Sequence, residues 1–450
     1  MVNAIDSTHD MSLESWVTSA NGHPDFPVQN LPLGIFLPRR GPARAGVAIG
    51  DKILDLRVLY EMASPDARTT LEPLAYAENL NGFLALGALA RRRLRQFLSR
   101  FLTDSTSRIL KQIGATSLLL HESSECTLEL PVRVGNYTDF FAGVHHAAYA
   151  ARRRQIPGGM FPNYAHVPIA YHGRASSVRA SGTEILRPLG QLHLRDDAAP
   201  IVAPSRKLDF ELELGLWIGV GNALGAPIPI DNAHEHISGY CLLNDLSARD
   251  IQAWESQPLG PFLAKNFGSV VSPWIITPEA LTPFRTSRRA RPSGEPPLLH
   301  YLDGREDAES GAISVDLEVS FSSRRMRDAR IPPKRISTTT TRELYWTAAQ
   351  MVSHHTMGGC DLRPGDLIGT GTISGTEPGS AGSLLELTDD GKTPLSFSTN
   401  ETRSYLEDGD EILFHGKCNK PGFASIGFGV CKFIVSMRSE IVLGLLSTCQ

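Results

Sequence analysis

The sequence predicts a mainly β protein: a small N-terminal β unit with helices, then a larger all-β roll or sandwich. Three observations carry this. Short apolar segments bounded by Gly, Pro, Asn and Asp recur along residues 131–450, the pattern of strands that turn back on one another. Two helical tracts, Asn232–Ile237 and Ser247–Glu255, interrupt them. The run Leu208–Gly219 alternates with a period of two, with Phe210, Leu212, Leu214 and Leu216 on one face and Asp209, Glu211 and Glu213 on the other. A chain of 450 residues exceeds one ordinary core, so two domains are expected, 1–130 and 131–450, meeting at Leu130-Pro131.

Taken in order, Met1 to about His23 is polar and reads as frayed. Leu31–Phe36 and Ala45–Leu56 read as strands, the latter a hairpin turning at Gly50-Asp51-Lys52. Leu94, Phe97, Leu98, Phe101 and Leu102 recur at i, i+3, i+4, i+7 and i+8, one apolar stripe of an amphipathic helix. Arg91, Arg92, Arg93 and Arg95 on the same helix read as its solvated face. Beyond the boundary, strands are expected at Gly173–Val178, the Leu208 run, Leu367–Gly375, Leu384–Leu387, Glu411–Gly416 and Ser425–Val435. Residues 283–312, rich in Pro, Arg, Ser, Gly and Glu, read as an exposed loop.

Composition narrows the function classes. Hydrophobic residues make up 41% and charged residues 20% of the chain, at a formal net charge of −4. No basic run offers a phosphate backbone a partner, so nucleic acid is not expected. No apolar run reaches the length of a membrane span, and the polar start has no secretory h-region. Glu440–Gln450 carries no recognisable targeting tripeptide. The six cysteines (Cys126, Cys241, Cys360, Cys418, Cys431 and Cys449) lack CxxC spacing, which fits reduced thiols in a cytoplasmic protein.

Glu211 and Glu213 stand about 7 Å apart on one strand face, two extended residues. An ordinary solvated face is one reading; like charges gathered around a divalent cation is the other. A second acidic element supports the cation. If Leu243–Glu255 is helical, Asp245, Arg249 and Gln252 share one stripe, a carboxylate, a cation and an amide in line. A third is Asp139, followed by Phe140, Phe141 and then His145-His146. Glu386 reads as one acid in an apolar strand. The Gly-rich stretch Arg363–Gly375 lacks GK[ST] and is not a phosphate loop.

In order and wording these segments resemble the fumarylacetoacetase family over nearly the whole chain. The matching runs are Asp25-Phe26-Pro27, Asn136–Phe140, Tyr171–Val178 (YHGRASSV), the Glu211 strand, Ala233–Ile237, Asn244–Gln252, Pro258–Phe262 (PLGPF), Arg363–Ile368 and Gly371–Gly375. The resemblance implies an N-terminal SH3-like β-barrel domain, a C-terminal β-roll domain of the fumarylacetoacetase type carrying the active site, and a homodimer. It places the metal ligands on Asp139, Glu211, Glu213 and Asp245, with Lys265 and Ser269 beside them; Ser269 keeps the hydroxyl of the family's threonine. Four carboxylates suit Mg2+ or Ca2+, with Mn2+ also acceptable. It matches the catalytic histidine to His146, its carboxylate partner to Glu386, and the oxyanion-stabilising groups to Arg249, Gln252 and Lys265. Substrate contacts match Gln252, Tyr171 and Thr372, together with Phe141, Gln155 and Ser256.

The last three depart from the pattern. Phe141 and Ser256 stand where the family has tyrosines, and Gln155 where it has an arginine. The reaction implied is metal-assisted hydrolysis of a carbon–carbon bond in a 1,3-diketone. The substrate is fumarylacetoacetate or, given those three positions, a related 1,3-dicarbonyl compound with a bulkier or less acidic distal end. The alternatives are another metal–enolate reaction on the same fold (decarboxylation, tautomerisation or carbon–carbon bond formation) and a non-catalytic dimeric scaffold.

Overall fold

The structure, a computed structural model, describes residues 4–436 except 108, 111, 113 and 196; Cys449 and the Glu440–Gln450 segment lie outside the described residues. The N-terminal part builds a five-stranded antiparallel sheet from β1 (Leu33–Leu37), β2 (Arg44–Ile49), β3 (Lys52–Asp55), β4 (Leu120–Glu122) and β5 (Thr127–Glu129), in the order β4-β3-β2-β1-β5. The β2–β3 hairpin turns at Gly50-Asp51, with Gly50 at φ 56° and Ile49 facing Lys52. A two-residue turn of this kind needs a residue tolerant of positive φ.

Helix α1 (Gly87–Thr103) buries Leu94, Leu98, Phe101 and Leu102, the stripe expected from its spacing. Its arginines differ from the expectation. Arg91 and Arg95 are buried, because each finds partners across an interface: Arg91 reaches Glu279 and the Ser238 hydroxyl, and Arg95 reaches Thr8 and the carbonyls of Gln29 and Asn30. The leading segment is likewise ordered, with Thr8 and His9 buried and His9 Nε2 2.8 Å from the Glu279 carbonyl.

In the remainder, the strands that matter to the site are, in chain order, β6 (Tyr137–Phe140), β7 (Ala170–His172), β8 (Val178–Ala180), β9 (Glu184–Leu186), β10 (Leu212–Ile218), β11 (Ile237–Asp245), β12 (Ser269–Val271), β13 (Asp316–Ser322), β14 (Lys334–Thr340), β15 (Leu367–Gly369), β16 (Glu411–Cys418) and β17 (Ile426–Ser436). They form a seven-stranded mixed sheet, β7-β6-β15-β10-β11-β12-β8, and a five-stranded one, β14-β13-β16-β17-β9. Parallel pairs β15–β6, β12–β8 and β17–β9 sit among antiparallel neighbours.

The Leu208 run breaks into a two-residue bridge, Leu208–Asp209, and β10, with Phe210 and Glu211 between. Both faces of β10 are buried. Leu212, Leu214, Leu216 and Ile218 join the larger core, while Trp217 joins the N-terminal core with Cys241, Leu243 and Val271. The solvated-face reading of the glutamates therefore fails: both Glu211 and Glu213 are buried.

Other differences have local causes. Gly173–Val178 is a turn and a short helical turn between β7 and β8, not a strand. Leu367–Gly375 is a strand only to Gly369, after which the chain turns towards the carboxylates. Residues 283–312 carry short elements, including a helix at Arg305–Ser310 whose Asp307 is buried against Thr347 and Arg288, so the segment is not a free loop. Among the described residues, five cysteines are free thiols and no helix is long and apolar enough to cross a membrane.

Candidate active site

Register within the seven-stranded sheet gathers the acids. On β6, Asp139 faces Tyr171 of β7 on one side and Gly369 of β15 on the other. Gly369 in turn faces Gly215 of β10, two residues beyond Glu213. Asp245 ends β11 opposite Ser269. One ligand oxygen from each of Asp139, Glu211, Glu213 and Asp245 lies within 4.8 Å of the others, and all four residues are buried. A Cβ at Gly369 would stand 2.2 Å from Asp139 Oδ1 and 2.9 Å from Glu213 Oε2, so the acids close over a bare backbone. The Gly371 N–H donates to Glu213 Oε2 at 2.9 Å and to Asp139 Oδ1 at 3.2 Å.

Cations occupy one side of this cluster. Lys265 Nζ bonds Glu211 Oε2, and Asp245 Oδ2 at 2.6 Å. Arg249 donates from Nη1 to Glu211 Oε1 at 2.7 Å and from Nε to Asp209 Oδ2 at 2.8 Å. Tyr171 O–H donates to Asp245 Oδ2 at 2.5 Å, and the Ser269 hydroxyl to Asp245 Oδ1 at 3.1 Å. The acids respond unequally. Burial pushes the Glu211 carboxyl up, but Lys265, Arg249 and His146 more than offset it and hold it well below the usual range. Asp139 is pushed well up by burial and then by Asp245, and Glu213 by burial and then by Asp139 and Asp245.

That remainder fits a divalent cation. Glu213 Oε1 is buried with no hydrogen-bond partner among the described residues. The donors are hard carboxylate oxygens without a thiolate or imidazole, a set for Mg2+, Ca2+ or Mn2+ and unlike a zinc site.

Beside the cluster stands a second constellation. His146 lies in the first turn of α2 (Val144–Arg153) and is buried. Its Nδ1 is 2.7 Å from Glu386 Oε2, and its Nε2 faces Glu211 Oε1 at 3.7 Å. Glu386 sits on α4 (Leu384–Leu387), a short helix where a strand was expected. The hydroxyls of Ser374 and Ser383 also donate to Glu386 Oε2, at 2.9 and 2.7 Å. Burial raises the Glu386 carboxyl, but His146 and these hydroxyls bring it below its ordinary value. An ionised Glu386 can only accept, so Nδ1 carries a proton and Nε2 is the nitrogen left facing the acidic cluster. The neighbouring His145 turns instead to Glu343, at 2.8 Å.

Comparison with known proteins decides the family. The model for the fumarylacetoacetate (FAA) hydrolase C-terminal region matches residues 136–435, and that for the fumarylacetoacetase N-terminal region matches residues 29–131. The chain is 45% identical to the fumarylacetoacetase of Arabidopsis thaliana over 414 residues, covering 90% of this chain and 94% of the relative. It is 44% identical over 430 residues to that of Oryza sativa subsp. japonica, covering 93% and 96%. Against that of Homo sapiens it is 41% identical over 409 residues, covering 90% and 95%.

The chain belongs to the fumarylacetoacetase family.

Most residues singled out by the resemblance meet at this one place. Asp139, Glu211, Glu213, Asp245, Lys265, Ser269, Tyr171, Arg249, His146 and Glu386 interlock through the contacts above. Gln252 joins through its Oε1, 3.2 Å from Arg249 Nη1. The route differs from the helical stripe expected for Asp245: Asp245 ends a strand, and α3 (Arg249–Glu255) starts only at Arg249, which pairs with Asp209 and Glu211. Phe141 packs edge-on against the His146 ring at 5.6 Å and contacts Phe161 and Tyr164, forming an apolar wall beside the imidazole. Thr372 is buried behind α2, its carbonyl backing Gly143, where a Cβ would come to 2.0 Å. Ser256 ends α3 half-buried. Gln155 is not brought in: it lies exposed past the end of α2 at φ 54°.

Three polar residues of the site have no role in the sequence reading. Ser374 and Ser383 fix Glu386, and Asp209 holds Arg249. The spacing Ser383-x-x-Glu386 is a capping-box pattern and was available as a signal for the helix.

Proposed function

We propose that this chain is a hydrolase that cleaves a carbon–carbon bond of a 1,3-diketone, with fumarylacetoacetate as substrate. The observation that carries this reading is the placement of the Glu386-held imidazole of His146 directly against the carboxylate quartet. The relatives named fumarylacetoacetase, of which the chain spans 94–96% in length, support it.

A divalent cation held by Asp139, Glu211, Glu213 and Asp245 would polarise the keto oxygens and meet the negative charge of the enolate leaving group. The protein groups do the rest. His146 Nε2 takes a proton from water as its oxygen adds to one carbonyl, and Glu386 stabilises the imidazolium through Nδ1–H. Arg249 Nη2, buried without a partner among the described residues, remains free to meet the developing oxyanion, with Lys265 and Gln252 beside it. When the bond between carbonyl and α-carbon breaks, the electron pair goes to the α-carbon. The proton held by His146 returns there, releasing a carboxylic acid and a ketone.

Turnover of fumarylacetoacetate by the purified chain with Mg2+, Ca2+ or Mn2+ tests this, followed as loss of the diketone. His146→Ala should lower kcat by about 10²–10⁴-fold. A protein that binds metal but leaves fumarylacetoacetate intact overturns the reading. One observation favours a related substrate: the Phe141, Phe161 and Tyr164 wall offers the base side an apolar surface. A 1,3-diketone with an apolar distal group turned over faster than fumarylacetoacetate would establish that version.

The same reading includes a cytoplasmic homodimer, an SH3-like barrel formed by β1–β5, and a domain boundary at Leu130-Pro131. The exposed Leu259 and Phe262, 98% and 68% accessible, favour the dimer; sedimentation as a single chain would overturn it.

A further inference from the structure

We propose that Asp209 is a positioning residue that locks the arginine and the histidine of the site into one unit. It is wholly buried and lies two residues before Glu211, where the chain pairs with Ser247 immediately ahead of α3. Its carboxylate works in two directions. Towards α3, Oδ2 accepts from Arg249 Nε at 2.8 Å. Towards α4, Oδ1 accepts from the Leu384 N–H at 2.7 Å and Oδ2 from the Leu385 N–H at 3.1 Å. Oδ1 also takes its neighbour's N–H, from Phe210, at 2.8 Å.

These contacts close a ring. Asp209 holds Arg249; Arg249 Nη1 holds Glu211 Oε1 at 2.7 Å; Glu211 Oε1 faces His146 Nε2 at 3.7 Å; His146 Nδ1 binds Glu386 Oε2 at 2.7 Å. Glu386 follows Leu385, whose N–H returns to Asp209. One carboxylate thus sets both the guanidinium that would meet the oxyanion and the turn that aims the imidazole. Carboxylate is required because every group facing it is a donor. An asparagine offers one oxygen, and its amide N–H groups would meet either Arg249 or a backbone N–H head-on. A shift of about 1 Å in a reacting group costs on the order of 10²-fold in rate.

The inference rests on the hydrolytic reading, and the test separates the two. Wild-type turnover of fumarylacetoacetate is measured first; its absence sinks the hydrolytic reading alone. Independently of substrate, the His146 Nδ1 proton, hydrogen-bonded to Glu386, gives a resonance downfield of the amides, assigned by its loss in Glu386→Gln and His146→Ala. Asp209→Asn should move or remove that resonance and lower kcat by about 10²-fold, while calorimetric Mg2+ affinity stays within about threefold. Asp209→Glu keeps the charge beside Arg249 but displaces α4; it should lower kcat by about tenfold and shift the resonance. A folded variant with kcat within about threefold of wild type overturns the proposal. So does a fall in kcat with an unmoved resonance, since Asp209 would then act through Arg249 alone. Failure of both variants to fold would make Asp209 a folding residue and overturn it as well.

Discussion

Glu211 and Glu213 stand two residues apart, yet their environments drive them in opposite directions. Burial raises both. Glu211 has Lys265, Arg249 and His146 around it and stays ionised, whereas Glu213 meets Asp139 and Asp245 and is pushed up with Asp139. A carboxyl whose folded pKa lies above its unfolded value binds more protons in the native state. The cation-free protein should therefore lose stability as pH rises from the ordinary carboxylate range through the raised values. A divalent cation needs both acids ionised, so its binding should release protons and tighten with pH. Calorimetry of Mg2+ or Ca2+ in buffers of different ionisation enthalpy should give different apparent heats; identical heats would refute this. By the same logic Asp139→Asn removes a carboxyl whose ionisation burial and Asp245 oppose, while keeping an acceptor for Gly371 N–H. Above the ordinary carboxylate range it should stabilise the cation-free protein while weakening metal binding, as urea unfolding with and without Mg2+ would register.

At the scale of elements, the acids converge because β15 lends them a residue with no side chain. Gly369→Ala would bring a methyl to 2.2 Å from Asp139 Oδ1, and that oxygen must move. Mg2+ affinity should fall about 10–100-fold with the far-ultraviolet circular dichroism unchanged; unchanged affinity would mean that the acids have slack to yield. Elements were legible in the sequence where a local pattern sufficed. The β2–β3 hairpin, the stripe of α1 and the alternation of Glu211 and Glu213 with Leu212 and Leu214 are all present. They were illegible where a distant part decides. Period two does not say what meets the acidic face, and here it is Lys265, Arg249, His146 and the Gly371 N–H, all from distant segments. The i, i+4 link of Asp245 to Arg249 assumed a continuous helix, but pairing with Ser269 keeps Asp245 in a strand. Leu384–Leu387 is too short for periodicity to separate helix from strand. The meeting of Glu386 with His146, 240 residues apart, came from the family resemblance and from no local signal.

The whole molecule is tied together by charges that composition alone would put on its surface. Arg91 of α1, buried, spans to Glu279, also buried, and to Ser238 at the far end of β11 from Asp245. Arg95, one turn on, fastens the leading segment through Thr8 and the Gln29 and Asn30 carbonyls. Burial lowers the Arg95 guanidinium to about 10, still protonated at neutral pH, so its donors stay engaged. A buried pair of this kind contributes little over an apolar substitute, but breaking one half strands the other charge out of water. Arg91→Met should therefore cost about 3–5 kcal/mol, because Glu279 is left without its guanidinium partner. Arg91→Met with Glu279→Gln should recover part of that loss, since the double variant leaves no ion behind. Urea unfolding of the two variants decides it. Metal affinity in the folded state should be unchanged, because β11 remains paired with β10 and β12 around Asp245. An Arg91→Met loss under about 1 kcal/mol would show that water reaches Glu279 and that the two cores are held by apolar contact alone.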